Sequence, residues 1–226
     1  MKKYFTYVML LFIPMISSGQ IQVGIKGGYD YFRFTHTDES PYPVIYSYPD
    51  NSFLFAISVR QRSAHVFNLG LELQYVNRSF EVQSSWGGHG GGTDVVFNYQ
   101  LGNLLLQIQP QFVLGSKFKF FIYPGIYFGT LLHSSLSGTT HSWQIGYPPI
   151  SKTDSLNGSA KNYYPTLEFG ISPGIGLEFP VYKNLNFVFE YNFNMNLTAI
   201  GRAWGADNAK MLNMGFEVGL AYTFIN

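Results

Sequence analysis

Cysteine is absent from all 226 residues, which excludes disulfides, thiolate metal sites and cysteine nucleophiles together. Charge is nearly as scarce. Asp, Glu, Lys and Arg make up 12% of the chain, against about 25% in typical soluble domains, so a water-facing exterior would be short of charge. The net balance is +1 at pH 7, which gives no footing to a nucleic-acid partner or an acidic tail. Beyond the first twenty residues there is also no uninterrupted apolar run near the roughly 18 residues that a spanning helix needs. What remains abundant is the aromatic class, 18% of the chain.

The opening stretch MKKYFTYVMLLFIPMISSGQ places Lys2 and Lys3 before an apolar run from Tyr4 to Ile16 and small residues from Ser17 to Gly19. That order predicts a secretory leader over 1–19 and a single domain over 20–226. No cysteine follows the apolar run, so a lipid-anchored lipoprotein is excluded.

Period-two alternation governs the rest. In NFVFEYNFNMNL, residues 186–197, the odd positions are Phe, Phe, Tyr, Phe, Met and Leu, while the even ones carry Glu190, Val188 and four asparagines. Successive side chains of a strand leave on opposite faces, so this is a strand with one apolar and one polar face. Eight such segments are predicted, at 21–33, 53–62, 67–80, 96–113, 119–132, 166–179, 186–197 and 211–224. In 96–113 the apolar phase changes from Phe97, Tyr99 and Leu101 to Leu104, Leu106 and Ile108, and a β-bulge near Gly102 and Asn103 is expected to repair it. Connections alternate between short (63–66, 114–118, 180–185) and long (34–52, 81–95, 133–165, 198–210). Long strands, an even count and alternating loops predict an all-β fold: a single eight-stranded antiparallel transmembrane up-and-down β-barrel, with short periplasmic turns and long extracellular loops. A soluble, lipocalin-like barrel would turn the Phe and Leu stripe inward and expose a face of Gly, Asn and Ser, which suits an exterior poorly.

The segments NYQLGNLLLQIQPQFVLGSKFKFFIYPGIYFGTLL, FGISPGIGLEFPVYKNLNFVFEYNFNMNL and GFEVGLAYTF resemble the PorT-like family of small outer-membrane β-barrel proteins. The resemblance extends over most of residues 21–224. It implies an outer-membrane location and an association with envelope secretion or motility machinery, and it supplies no catalytic residues.

The predicted inward positions collect Lys26, Asp30, Arg60, Arg62, Glu72, Arg78, Glu168, Glu178, Glu190 and Glu217. Lys26, Glu72, Glu190 and Glu217 count to mid-height, where the interior of an eight-stranded barrel is just filled by side chains. Buried charges require partners, so a polar network closing the lumen is expected, with a proton or small-ion path as the alternative. Aromatics toward strand ends read as interfacial girdles: Tyr31, Phe32, Phe34, Phe80, Tyr99, Tyr163, Tyr164 and Trp204 at the long-loop end, and Phe67, Phe118, Phe179, Tyr182, Phe187 and Phe224 at the other. GGHGGGTD at 87–94 lacks the Lys-Ser/Thr ending of a phosphate loop and reads as a flexible outer loop. His36, His89 and His141 match no metal-ligand spacing. His133–Ser134 and His141–Ser142 are neighbours in sequence, and adjacent residues of an extended chain point apart, which disfavours a lipid acyl hydrolase.

The functional expectation is a non-enzymatic integral outer-membrane protein without cofactor, structural or accessory in the envelope. Its partners would be outer-membrane lipid and the barrel assembly machinery, with extracellular binding or adhesion through loops 34–52 and 133–165 as the alternative.

Overall fold

The computed structural model describes residues 20–35, 45–49, 52–62, 66–145, 150–159, 164–198 and 210–224. Among the described residues twelve antiparallel strands form one sheet: β1 (Gln20–Thr35), β2 (Ile45–Pro49), β3 (Phe53–Arg62), β4 (Phe67–Gly88), β5 (Gly91–Leu114), β6 (Lys119–Tyr123), β7 (Ile126–Gln144), β8 (Ile150–Gly158), β9 (Leu167–Ile171), β10 (Gly174–Tyr182), β11 (Leu185–Asn196) and β12 (Lys210–Phe224). The pairings run β1–β3–β4–β5–β6–β10–β11–β12 and return to β1, a closed ring through eight strands. Its last seam joins the first and last strands from Ile21↔Phe224 to Thr35↔Lys210. The leader expected at 1–19 lies outside the described residues.

Twelve strands stand where eight are expected, and two physical causes account for the difference. The expected strands 119–132 and 166–179 are each broken at a proline, Pro124 and Pro173. Proline cannot donate to a ladder. Register is nonetheless unbroken across the gap, since Tyr123 pairs with Gly174 below it and Ile126 with Ile171 above. Between them Gly125 N–H donates to the Ser172 carbonyl at 3.1 Å and Ser172 N–H to that of Gly125 at 2.7 Å. The second cause lies at the long-connection end, where the sheet continues beyond the ring. The β4–β5 ladder runs without a slip from Phe67↔Phe112 to Gly88↔Gly91, turning over His89 and Gly90. GGHGGGTD is therefore the tip of a hairpin, not the flexible loop expected. β2 pairs with the upper part of β4, and β8 with the upper part of β7. In the β7–β8 part of this extension Ser, Thr, Asn and Asp dominate both faces, from Ser137 to His141 and from Ser151 to Asn157, and leave no apolar period to read in the sequence.

One face of the ring is apolar and exposed, the other polar and buried. Phe53, Phe55, Ile57 and Val59 project outward from β3 while Ala56, Ser58, Arg60 and Arg62 are buried. The same alternation holds in β12, where Phe216 is 51% exposed and Glu217 not at all. The Phe and Leu stripe thus lies outside, opposite to the soluble-barrel arrangement.

Strand β5 corrects one facing. Odd positions point inward along its middle, so Tyr99 and Leu101 are buried like Gln107 and Gln109, and no phase change occurs. The register does shift between Gly102 and Asn103, but only against β7, where Leu132 is the extra residue. What changes at that height is the chemistry of the interior. Phe80, Val82, Tyr99, Leu101, Leu131, Tyr164 and Met211 form an apolar cap inside the ring, with the Phe80 and Tyr99 rings stacked at 5.0 Å and Tyr164 edge-on to both. Phe80, Tyr99 and Tyr164 are therefore interior, not girdle, residues, whereas Tyr31, Phe67, Phe118, Tyr182 and Phe224 are exposed as a girdle requires. Tyr163, Trp204 and the side chains of Phe32 and Phe34 lie outside the described residues.

Below the cap, inward rings of β6 and β7 lie on glycines of the paired strands. Phe121 pairs with Gly176, Tyr123 with Gly174 and Tyr127 with Gly170. A Cβ added at Gly176 would stand 2.2 Å from the Phe121 ring, so the bare glycine is what lets the ring lie flat. Gly176→Val is expected to destabilise by about 1–3 kcal/mol through overpacking, read as a lower denaturant midpoint in lipid vesicles. An unchanged midpoint would show that Phe121 has another place to go.

Candidate functional site

The ten predicted inward charges are all buried, and the structure groups them in three layers. At the centre, β1 carries Lys26, whose Nζ lies 2.6 Å from Glu72, 2.8 Å from Glu190 and 2.7 Å from Glu217. These carboxylates belong to β4, β11 and β12, so one ammonium ties together strands on both sides of its own. Arg60 of β3 crosses the ring to Glu190 at 2.6 Å, and its guanidinium sits 4.8 Å over the Phe121 ring, a cation–π contact. Tyr123 Oη donates to the other oxygen of Glu190 at 2.5 Å. Glu217 accepts from Gln74 Nε2 at 3.0 Å and from Asn192. Apart from Lys26–Glu217 and Asn192–Glu217, which join neighbours in the sheet, these are transverse struts between strands that share no ladder.

Above this layer Arg78 Nε meets Asp30 at 3.1 Å and its Nη1 lies 3.7 Å from Glu168. Glu168 also accepts from Asn103 at 2.9 Å and Asn196 at 3.3 Å. Below it Arg62 pairs with Glu178 and donates to Gln22 Oε1 at 2.8 Å, while Gln22 Nε2 donates to Glu178 at 3.1 Å. Mid-height counting brings Lys26, Glu72, Glu190 and Glu217 together, and the structure adds Arg60 to them.

Sequence reading missed the neutral members. Gln111 donates to Gln109 at 3.1 Å, Gln109 to Gln107 at 3.2 Å, and Gln107 to Gln74 at 3.1 Å, a relay of amides that fills the space beside the carboxylates. The signal was present in LLLQIQPQF, where glutamine occupies every second position. Amides share a narrow lumen without adding charge, and fully buried polar groups are tolerable when hydrogen-bonded.

Glu72, Glu190 and Glu217 converge as a metal's ligands would, with their oxygens within 4.8 Å of one another, yet each spends an oxygen on Lys26. The serine–histidine pairs do not assemble. His141 Nδ1 is 3.0 Å from Thr153 Oγ1, while the Ser142 hydroxyl lies 3.2 Å from Thr93 Oγ1. His133 is exposed, its ring lying against Gly102, and Ser134 Oγ lies 3.4 Å from Ser159 Oγ. His36 lies outside the described residues.

A closed antiparallel ring, apolar outside and polar inside, is the geometry that satisfies every ladder within lipid. The family model "Outer membrane protein beta-barrel domain" matches residues 16–201. The chain belongs to that family. As a member of the outer-membrane β-barrel family it is a transmembrane protein of the outer membrane. Similar solved structures include Ail, the attachment invasion locus protein of Yersinia pestis, at 15% identity and TM-score 0.42, the match covering 92% of this chain and 99% of Ail. OprG of Pseudomonas aeruginosa is 14% identical with TM-score 0.44, over 92% of this chain and 97% of OprG. Neisserial surface protein A is 11% identical with TM-score 0.41, over 90% and 97%. No curated protein matches the chain.

Proposed function

We propose that this family member is a non-enzymatic, eight-stranded barrel with a structural or accessory role in the envelope, its lumen closed by side chains. The observation that carries the reading is the central layer, in which one ammonium and one guanidinium are held among three carboxylates with the amide relay packed beside them. Charges with fixed partners hold the wall to itself and leave no file of exchangeable sites for a permeant ion. Residues 1–19 act as a removed leader in this reading, and β12, ending in Tyr222 and Phe224, is presented to the barrel assembly machinery. The PorT-like placement within the family is supported by the segments of 98–132 and 169–197 and by the closing 215–224.

Purified protein inserted in planar bilayers is expected to give no discrete conductance steps. Stepwise currents from the wild-type chain, lost on an interior substitution such as Glu190→Gln, would contradict the closed lumen and favour an ion path.

A second reading, binding to an extracellular partner, is favoured by the extended sheet. The residues of β8 from Ser151 to Gly158 are exposed throughout, and among the described residues β8 pairs only with β7. Such an edge accepts an added strand. Deleting 133–165 removes it, and binding to a surface or protein that survives this deletion would sink this second reading.

A further inference from the structure

The proline gap in the wall has an outer side. The register that pairs Phe112 with Ile122 and Ile108 with Ile126 sets Pro110 opposite Pro124, and Pro124 in turn stands opposite Pro173. Three neighbouring strands thus carry proline at one level. Neither Pro110 nor Pro124 can donate to the other, so the wall there presents ring carbons in place of amides. Outside this line lies a groove of about 630 Å³, bounded below by Phe112, Ile122 and Ile175 and above by Pro124, Pro173 and Phe193. Its volume falls in the range of small-molecule sites. Its height is that of the central charged layer, because Phe121 and Gly176, next to Ile122 and Ile175, pair with each other and Gly176 with Glu190.

We propose that this groove is a fixed binding site for one straight acyl chain of an outer-membrane lipid. The inference rests on the membrane-spanning reading and names which part of the lipid is held. At mid-height of the exposed apolar band only chain carbons are within reach, so the head group has no part in recognition. The hydrophobic effect does not favour one apolar neighbour over another inside hydrocarbon. Selection comes instead from dispersion, since a groove left unfilled forfeits the contacts along its length. A saturated chain lies along a groove whose floor is held by prolines, whereas a chain kinked by a cis double bond cannot follow it.

The test uses the full mature chain in nanodiscs of dipalmitoyl-phosphatidylcholine, dipalmitoyl-phosphatidylglycerol or dioleoyl-phosphatidylcholine, released into detergent for native mass spectrometry. Wild type is expected to retain one lipid, equally for the two head groups and less for the dioleoyl lipid. Ile175→Trp, which fills the groove, should lower retention about fivefold or more, and Phe55→Trp on a distant part of the wall should not. Ile122→Phe narrows the groove from the facing strand and is expected to act in the same direction if the tryptophan variant does not refold. Retention that is unchanged by both groove variants, or that follows the head group, would overturn the site while leaving the barrel intact. A wild-type chain that fails to enter any nanodisc and shows no heat-dependent gel shift would instead overturn the membrane-spanning reading, and the site with it.

Discussion

Lys26→Met is expected to destabilise the folded protein by about 3–5 kcal/mol, read as a lower denaturant midpoint in reversible lipid-vesicle unfolding. Methionine preserves the length and packing of the lysine stem but leaves Glu72, Glu190 and Glu217 without the ammonium that each contacts within 2.8 Å. Among the described residues Arg60 forms its ion pair with Glu190, so Glu72 and Glu217 lose their paired cation in a fully buried place. Removing one partner of a buried pair is far more damaging than replacing the whole group. Glu217→Gln in the Lys26→Met background should therefore recover part of the loss, because Gln74 and Asn192 can donate to an amide oxygen as they do to the carboxylate. A single Lys26→Met variant as stable as wild type would show that the central layer is solvated and not a closed network.

Phe189→Arg should cost about 2–4 kcal/mol, the penalty for a cation on the lipid face near the bilayer midplane. Phe189 is exposed on β11 one residue before the central Glu190, and its ring lies 6.4 Å from that of Phe216 on the neighbouring strand. Phe189→Leu keeps the face apolar and is expected to cost less than about 1.5 kcal/mol. From sequence alone Asn192→Ser is expected to cost far less than Phe189→Arg, but Asn192 is buried and donates to Glu217. That bond makes it a poor control, since hydrogen bonds to charged groups contribute about 1.5–3 kcal/mol. Equal midpoints for the arginine and leucine variants would mean that Phe189 does not face hydrocarbon.

Strands β3, β11 and β12 were legible because their exposed faces are apolar and their buried faces mostly polar, with Leu54, Val188 and Met211 as the larger apolar residues on the inside, and β1 follows the same rule from Ile21 to Tyr31. Lys26, Glu72, Glu190 and Glu217 could be placed at one height by counting along those strands. The rule fails where both sides of the wall have the same chemistry. Near the long-connection end the interior itself turns apolar, so Tyr99 and Leu101 resemble lipid-facing residues while packing against Phe80 and Tyr164. Further out both faces meet water, and the ladder of Ser137, Thr139 and His141 with Asn157, Ser155 and Thr153 leaves no periodic trace. Pro124 and Pro173 are visible in the sequence, but that they face each other is a matter of register, which alternation within one strand does not fix. Likewise Arg60 shows its inward direction and not its height relative to Glu190 across the ring.

The absence of cysteine allows single introduced cysteines to be spin-labelled along residues 187–194 of β11 in lipid vesicles, with accessibility measured to molecular oxygen and to a water-soluble nickel chelate. Oxygen accessibility is predicted to peak at 187, 189, 191 and 193, with 188, 190, 192 and 194 shielded from both reagents. Peaks at the even positions, or nickel access to the odd ones, would contradict the assignment of the apolar face to hydrocarbon.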